Sequence, residues 1–192
     1  MRIIAGKCRA KKLVSPKTAK TRPTLDRVKE ALFSIIKSHI IDAYVLDLFS
    51  GTGNLAIESI SQGAKFAWIN DIESLCISNI ISNTELTKTE KYVKITRKDY
   101  IKCLTQISKE HILFDVIFLD PPYESNLAIK SLQYIDENDV LAKDGLVIYE
   151  LDKINMQKLQ KKDVNILDSF KNLECFDKRC YGNVILMIYR WR

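Results

Sequence analysis

The chain has no long hydrophobic run, only two histidines, and not one acidic residue among its first 25 positions. No stretch approaches the roughly 20 apolar residues of a membrane span, and no signal-peptide core follows Met1. A cytoplasmic protein without membrane contact is therefore expected. The five cysteines (Cys8, Cys76, Cys103, Cys175, Cys180) are odd in number and scattered, with no C-x-x-C pair and no histidine beside them. Free buried thiols and no metal centre are the expectation. His39 and His111 lack a partner motif and read as surface or helix-end residues. Six Gly and 4 Pro in 192 residues, with 46% hydrophobic and 28% charged, are ordinary for a globular chain that can bury a substantial core.

What the first residues do carry is positive charge. Arg2, Lys7, Arg9, Lys11, Lys12, Lys17, Lys20 and Arg22 give residues 1–25 a charge of +8; the whole chain has +6, which leaves −2 for the remainder. Such localisation is the footprint of a polyanion-binding arm. Ile3, Ile4, Leu13 and Val14 flank Gly6 as apolar anchors, which favours a basic hairpin over a solvated tail.

Beyond the arm, strand and helix signals alternate. Thr24 stands as the N-cap of a helix that packs Val28, Ala31, Leu32, Ile35 and Ile36 and leaves Arg27, Lys29 and Glu30 outside. Strands follow at 44–49, 66–70, near 93–96, 114–119 and 146–150. Helices separate them: from Asn54 to about Gln62 with Gly63 as C-cap, one with Ile72, Leu75, Cys76, Ile80 and Leu86 on its apolar side, one after Asp99, and one over 126–135. A helix near 154–160 precedes two last strands near 164–167 and 184–189. This order predicts an α/β fold, a doubly wound Rossmann-like parallel sheet with an antiparallel C-terminal edge. Residues 1–25 would form the basic, polyanion-binding arm and 26–192 the sheet domain. Because the sheet begins beyond residue 40, the arm is expected to be removable without loss of the fold.

Two strand ends carry chemistry. The buried run 114–119 leads into Asp120-Pro121-Pro122-Tyr123. Paired prolines stiffen the turn, so the Asp120 carboxylate and nearby carbonyls form a fixed set of acceptors suited to an NH2 group, with Tyr123 placed to stack on a base. The strand at 44–49 leads into Gly51-Thr52-Gly53-Asn54-Leu55-Ala56, with Asp71 twenty residues beyond Gly51. That spacing fits any ribose-containing cofactor on a Rossmann-like fold. Asp47, just before the glycines, disfavours a pyrophosphate and suits the ammonium and sulfonium of S-adenosylmethionine. Asp99 stands where an adenine amine would lie, or where a helix needs an N-cap.

Together, Asp47-Leu48-Phe49-Ser50-Gly51-Thr52-Gly53, Asp71 and Asp120-Pro121-Pro122-Tyr123 resemble the amino-group methyltransferases. Arg22-Pro23-Thr24, Lys29-Glu30-Ala31-Leu32-Phe33 and the basic start narrow the resemblance to the bacterial 16S ribosomal RNA guanine-N2 methyltransferases. The resemblance implies S-adenosylmethionine as cofactor and 16S ribosomal RNA, in an assembling or assembled small subunit, as partner. It places Asp47, Gly51 and Gly53 at the methionine end, Asp71 at the ribose, Asp99 at the adenine, Phe49 among the cofactor contacts, and Arg22 and Thr24 at the entrance. Asp120, Pro121 and Tyr123 would hold the target base, and Arg2, Lys7, Arg9, Lys11 and Lys12 the RNA. Two positions depart from the family pattern: Asp71 where Glu is commoner, and Ala10 where Gly often follows the arm's arginine. An adenine-N6 methyltransferase shares the same core motifs. A nicotinamide-dependent oxidoreductase would leave Asp47 and Asp120 without work, and a non-catalytic RNA-binding module would not need the strand-end acids.

Overall fold

The computed structural model describes residues 1–15, 23–122, 126–162, 167–168 and 170–192, and of 23–25, 160 and 162 only the backbone. The apolar runs become β1 (Tyr44–Asp47), β2 (Phe66–Asp71), β3 (Val93–Arg97), β4 (Phe114–Leu119) and β5 (Leu141–Asp152). With β6 (Leu173–Tyr181) and β7 (Val184–Trp191) they build a seven-stranded sheet in the order β3-β2-β1-β4-β5-β7-β6. The first five strands run parallel, while β7 pairs antiparallel with β5 and β6 with β7.

Helices α1 (Pro23–Ile35), α2 (Asn54–Ser61) and α3 (Ser74–Thr87) cover one face, packing on Val45, Val116, Phe118, Leu146 and Ile148. Helices α4 (Tyr100–Lys109), α5 (Leu127–Glu137) and α6 (Lys153–Lys162) cover the other, on Leu46, Ile117, Leu119, Val147 and Tyr149. Alternate residues of each strand thus serve opposite layers, as a sheet buried on both sides requires. Strand order reverses between β1 and β4, so a crevice opens at their C-terminal ends.

Several local expectations change. Helix α1 begins at Pro23, whose missing N–H costs nothing in a first turn, and the Thr24 side chain lies outside the described residues. Lys29 is buried (4% exposed) instead of facing solvent, because Glu58 of α2 is there to pair with it. Of the apolar set expected there only Ile80 of α3 is fully buried; Ile72, which precedes the helix, and Leu75 and Leu86 are exposed, and Asn83, Thr84 and Thr87 turn inward. Gln62 caps α2, with Gly63 one residue on. In the last antiparallel pair the partner of β7 is β6 at Leu173–Tyr181, C-terminal to the strand expected near 164–167. Residues 164–166 of the strand expected there lie outside the described residues. The C-terminal end is also strand: the Trp191 indole donates to the Ala142 carbonyl at 3.1 Å, and Arg190 pairs with Glu174. Cys8 and Cys103 are buried, but Cys180 is exposed, and all five thiols are free. Among the described residues no helix is long and apolar enough to cross a membrane.

The arm folds back as expected, with Arg2 bridging antiparallel to Lys12, but it is fastened to the body. Ile3, Cys8 and Leu13 form a small core with Ile57 of α2. The Val14 N–H donates to Asn83 Oδ1 at 2.7 Å, while the Asn83 amide donates to the carbonyls of Val14 and Thr52, tying arm, α3 and glycine loop together. Gly6 presses so closely on the end of α2 that a Cβ there would meet the Ser61 carbonyl oxygen at 1.8 Å. Only glycine fits. Ala10 adopts φ +69°, the left-handed conformation that the more usual glycine would take without strain.

Candidate active site

The crevice at the strand ends is a cavity of about 550 Å³, a size suited to a nucleoside-bearing ligand. Asp47, Phe49, Gly51, Asp71, Asp99, Asp120 and Pro121 all line it. The structure thus brings together most of the side chains singled out from sequence. Gly53 is the exception. It holds φ +75° at the start of α2, where a Cβ would find ordinary contacts with Ile80 and Ile57 at 3.4–3.5 Å, so the left-handed turn is what selects glycine. Arg22 and Tyr123 lie outside the described residues, as does the Thr24 side chain.

The glycine loop is pinned from β2. Asn70, buried at the end of that strand, donates to the carbonyls of Leu48 and Lys98, and its own carbonyl oxygen accepts from the Ser50 N–H and hydroxyl. Asp71 Oδ2 accepts from the Gly51 N–H at 2.8 Å, and Oδ1 accepts from the Glu73 N–H at 2.9 Å. Gly51 sits at φ +56°, and a Cβ on it would meet nothing within 4 Å, so it is the left-handed turn and not crowding that selects glycine. Asp99 is the N-cap of α4, its Oδ1 accepting from the Ile101 N–H at 3.0 Å, and it still lines the cavity. The two expected roles are compatible. Phe49 and Tyr100 form a tilted aromatic pair, centroids 6.0 Å apart, on the same wall.

The electrostatics ask for a cation. Asp47 is buried, and among the described residues its carboxylate accepts a single 3.2 Å hydrogen bond, from the Ala56 N–H. Burial above all, with the charges of Asp120 and Asp71 adding to it and the Ala56 bond opposing, pushes its carboxyl up to about 8. Burial likewise raises Asp120. The buried ammonium on the cavity wall, Lys29, is already committed: its Nζ lies 2.9 Å from Glu58 Oε2 and donates to the Arg2 carbonyl and to Asn54 Oδ1. A positively charged ligand would relieve the mutual repulsion of these carboxylates.

Sequence reasoning passed over four residues here. Glu150, on β5, lines the cavity with Asp120 and is raised by burial and then by the Asp120 charge. It was read only as the last residue of an apolar run. Ile72 was assigned to a buried helix face but lies on the cavity wall. Lys29 and its partner Glu58 are separated in sequence and carry no spacing signal.

The model of a family described as conserved hypothetical protein 95 matches residues 1–190. The chain belongs to this family. The chain is 31% identical to Escherichia coli ribosomal RNA small subunit methyltransferase D over 150 residues, 78% of this chain and 74% of that protein. The Haemophilus influenzae protein of the same name is 32% identical over 154 residues, covering 80% and 79%. Among solved structures, an Escherichia coli protein described as a candidate methyltransferase, yhhF, superposes with a TM-score of 0.83 at 26% identity, over 100% of this chain and 98% of that one. The resemblance read from the motifs is thus borne out, as is the doubly wound methyltransferase fold.

Proposed function

We propose that this member of the conserved hypothetical protein 95 family transfers a methyl group from S-adenosylmethionine to the exocyclic N2 of a guanine in 16S ribosomal RNA. The observation that carries the reading is the meeting, in one cavity at the β1/β4 reversal, of Asp47, the Asp71-braced glycine loop and Asp120. The relatives named as small-subunit rRNA methyltransferases support the substrate class.

The residues suit the cofactor. When bound, S-adenosylmethionine supplies an electrophilic methyl group on a cationic sulfonium. Asp47, buried and raised by neighbouring acids, gains a counter-charge from the ligand's cationic end. Asp71, its Oδ2 held by the Gly51 N–H and its Oδ1 by the Glu73 N–H, would accept from the ribose hydroxyls with its remaining lone pairs, and Asp99 from the adenine amine. Phe49 and Tyr100 offer apolar wall to the ring system.

Asp120 then works on the target. A guanine N2 is a weak nucleophile because its lone pair is delocalised into the ring. Holding its N–H bonds on Asp120 and the proline-stiffened backbone turns that lone pair towards the methyl carbon. Transfer would form the new N–C bond as the methyl–sulfur bond breaks and its electron pair leaves with sulfur as a neutral thioether; the nitrogen would become cationic, and the Asp120 carboxylate would stabilise that charge and accept the released proton. Tyr123 would stack on the base, and Arg22 and Thr24 would sit at the entrance.

The arm supplies the RNA contact. Of its cations, Arg2 is paired with Asp26 at 3.0 Å and Lys11 donates to the Leu86 carbonyl at 2.8 Å. Lys7 and Arg9 are exposed and, among the described residues, carry no ion pair, so they are the foremost phosphate contacts, with Lys12 beside them. The partner is the small-subunit RNA, within an assembling or assembled subunit. The test is Asp120→Ala under single turnover with labelled cofactor. A loss of about a hundred- to a thousandfold in rate is expected, with cofactor affinity little changed. Retention of more than roughly a third of the rate, too small a change for that role, would overturn the assignment.

A further inference from the structure

The N2-transfer reading leaves open how guanine is told from adenine, since both present an exocyclic amine. Their neighbouring ring atoms differ. On guanine the amine stands beside N1–H, a donor; on adenine the amine stands beside a bare N1, an acceptor. A site that holds the amine on one carboxylate distinguishes the bases by what it offers to that next atom.

The strands place a second carboxylate there. In the parallel pairing of β4 and β5, Leu119 stands opposite Tyr149, so Asp120 and Glu150 follow side by side. Strand alternation gives them the same face. Phe118 and Ile148 pack beneath the α1–α3 layer, and two residues on from Phe118 and from Ile148 come Asp120 and Glu150. Both line the cavity, and both are half-buried. The Glu150 backbone is fixed from the other side by the β7 register opposite Leu186, and among the described residues no donor bonds its carboxylate. Among the described residues, an acid held in this way, against Asp120, finds no donor to satisfy it.

We propose that Glu150 accepts the N1–H of the target guanine while Asp120 holds the N2 amine, so that this pair of carboxylates selects guanine over adenine. The inference rests on the guanine-N2 reading above. An adenine in the same pose would set its N1 lone pair against the Glu150 carboxylate, and a site that leaves a buried polar group unpaired rejects the wrong ligand strongly.

The probe is 2-aminopurine, which keeps the 2-amino group but has an unprotonated N1. Small-subunit RNA, naked and reconstituted into particles, would carry guanine or 2-aminopurine at the nucleotide that the wild type methylates. The kcat/KM preference for guanine is then compared between the wild type and Glu150→Gln, which conserves shape and can either accept from N1–H or donate to a bare N1. The wild type should prefer guanine by about ten- to a hundredfold, the range of one hydrogen bond to a charged group. Glu150→Gln should lose activity on guanine and hold it on 2-aminopurine, bringing the preference to within about threefold, the scale left by a neutral hydrogen bond.

A purely structural role would lower both substrates alike, and an unchanged preference overturns the assignment of Glu150. Calorimetric binding of S-adenosylmethionine by the variant shows that it is folded. If the wild type methylates no guanine in either form of RNA, the functional reading fails and the inference with it. If the wild type methylates guanine and the preference ignores residue 150, the inference fails alone.

Discussion

Replacing Lys29 by Met removes the cation from a pair that the fold has taken out of water. The two side chains are 4% and 0% exposed, and Nζ lies 2.9 Å from Glu58 Oε2. The carboxylate also accepts from the N–H groups of Ile4 and Ala5 and from the Gln62 amide, while the ammonium also holds the Arg2 carbonyl and Asn54. Lys29→Met would leave Glu58 charged, buried and held only by neutral donors, and would free the start of the arm. Breaking a buried pair from one side costs about 3 to 5 kcal/mol, a large share of the ~5 to 15 kcal/mol that holds a typical domain folded. For a chain of this size the melting temperature should fall by about 6 to 20 °C. Glu58→Gln added to Lys29→Met removes the uncompensated charge and should recover part of the loss, a coupling read from a double-mutant cycle in urea. A loss below about 1 kcal/mol, the scale of an exposed pair, with no coupling in the cycle, would refute the reasoning.

Two further outcomes follow from the same contacts. The Asp47 carboxyl titrates near 3.8 when unfolded and about 8 when folded, so between those values the folded state keeps a proton that the unfolded state has lost. The stability due to this group is therefore full below the lower value and is lost as pH rises through the upper one. Urea unfolding should show Asp47→Asn gaining on the wild type as pH rises from about 5 to about 8, while calorimetry shows weaker S-adenosylmethionine binding; a stability difference that ignores pH would contradict this. In the arm, Lys7→Ala with Arg9→Ala should flatten the dependence of log affinity for RNA on log salt by about 1.5 if each cation meets one phosphate, whereas Arg2→Ala and Lys11→Ala should change it less. Equal slopes for all variants would take the arm off the phosphates.

Legibility in the sequence followed the reach of each signal. Runs such as 114–119 and 44–47 are buried on both faces, so their apolar content announces strands, and the strand-end acids Asp47 and Asp120 follow from them. Pairings between distant segments were not legible. Lys29 looked like a solvent-facing helix residue because its partner Glu58 lies on another helix. For the same reason the arm read as separable, although Ile3 and Leu13 close over Ile57 and Asn83 stitches Val14 to Thr52. On α3 the apolar residues misled, since its inner positions Asn83, Thr84 and Thr87 find hydrogen bonds in the interior and Ile72 faces the cavity. The strand β6 was missed because only Leu173 is fully buried along it, and its mixture of Glu, Asp, Lys and Arg suits an exposed edge. Glu150 needed the register of β4 against β5, which no local pattern carries.

The central claim is transfer of a methyl group to the N2 of guanine in small-subunit RNA. It is tested most directly by incubating the purified chain with 16S RNA, naked and in small-subunit particles, and with methyl-labelled S-adenosylmethionine. The RNA is then digested to nucleosides and separated. The account expects the label in N2-methylguanosine, at one position of the RNA, and its absence when Asp120→Ala replaces the wild type. Label in N6-methyladenosine, or in any nucleoside not methylated on an exocyclic guanine amine, would contradict it.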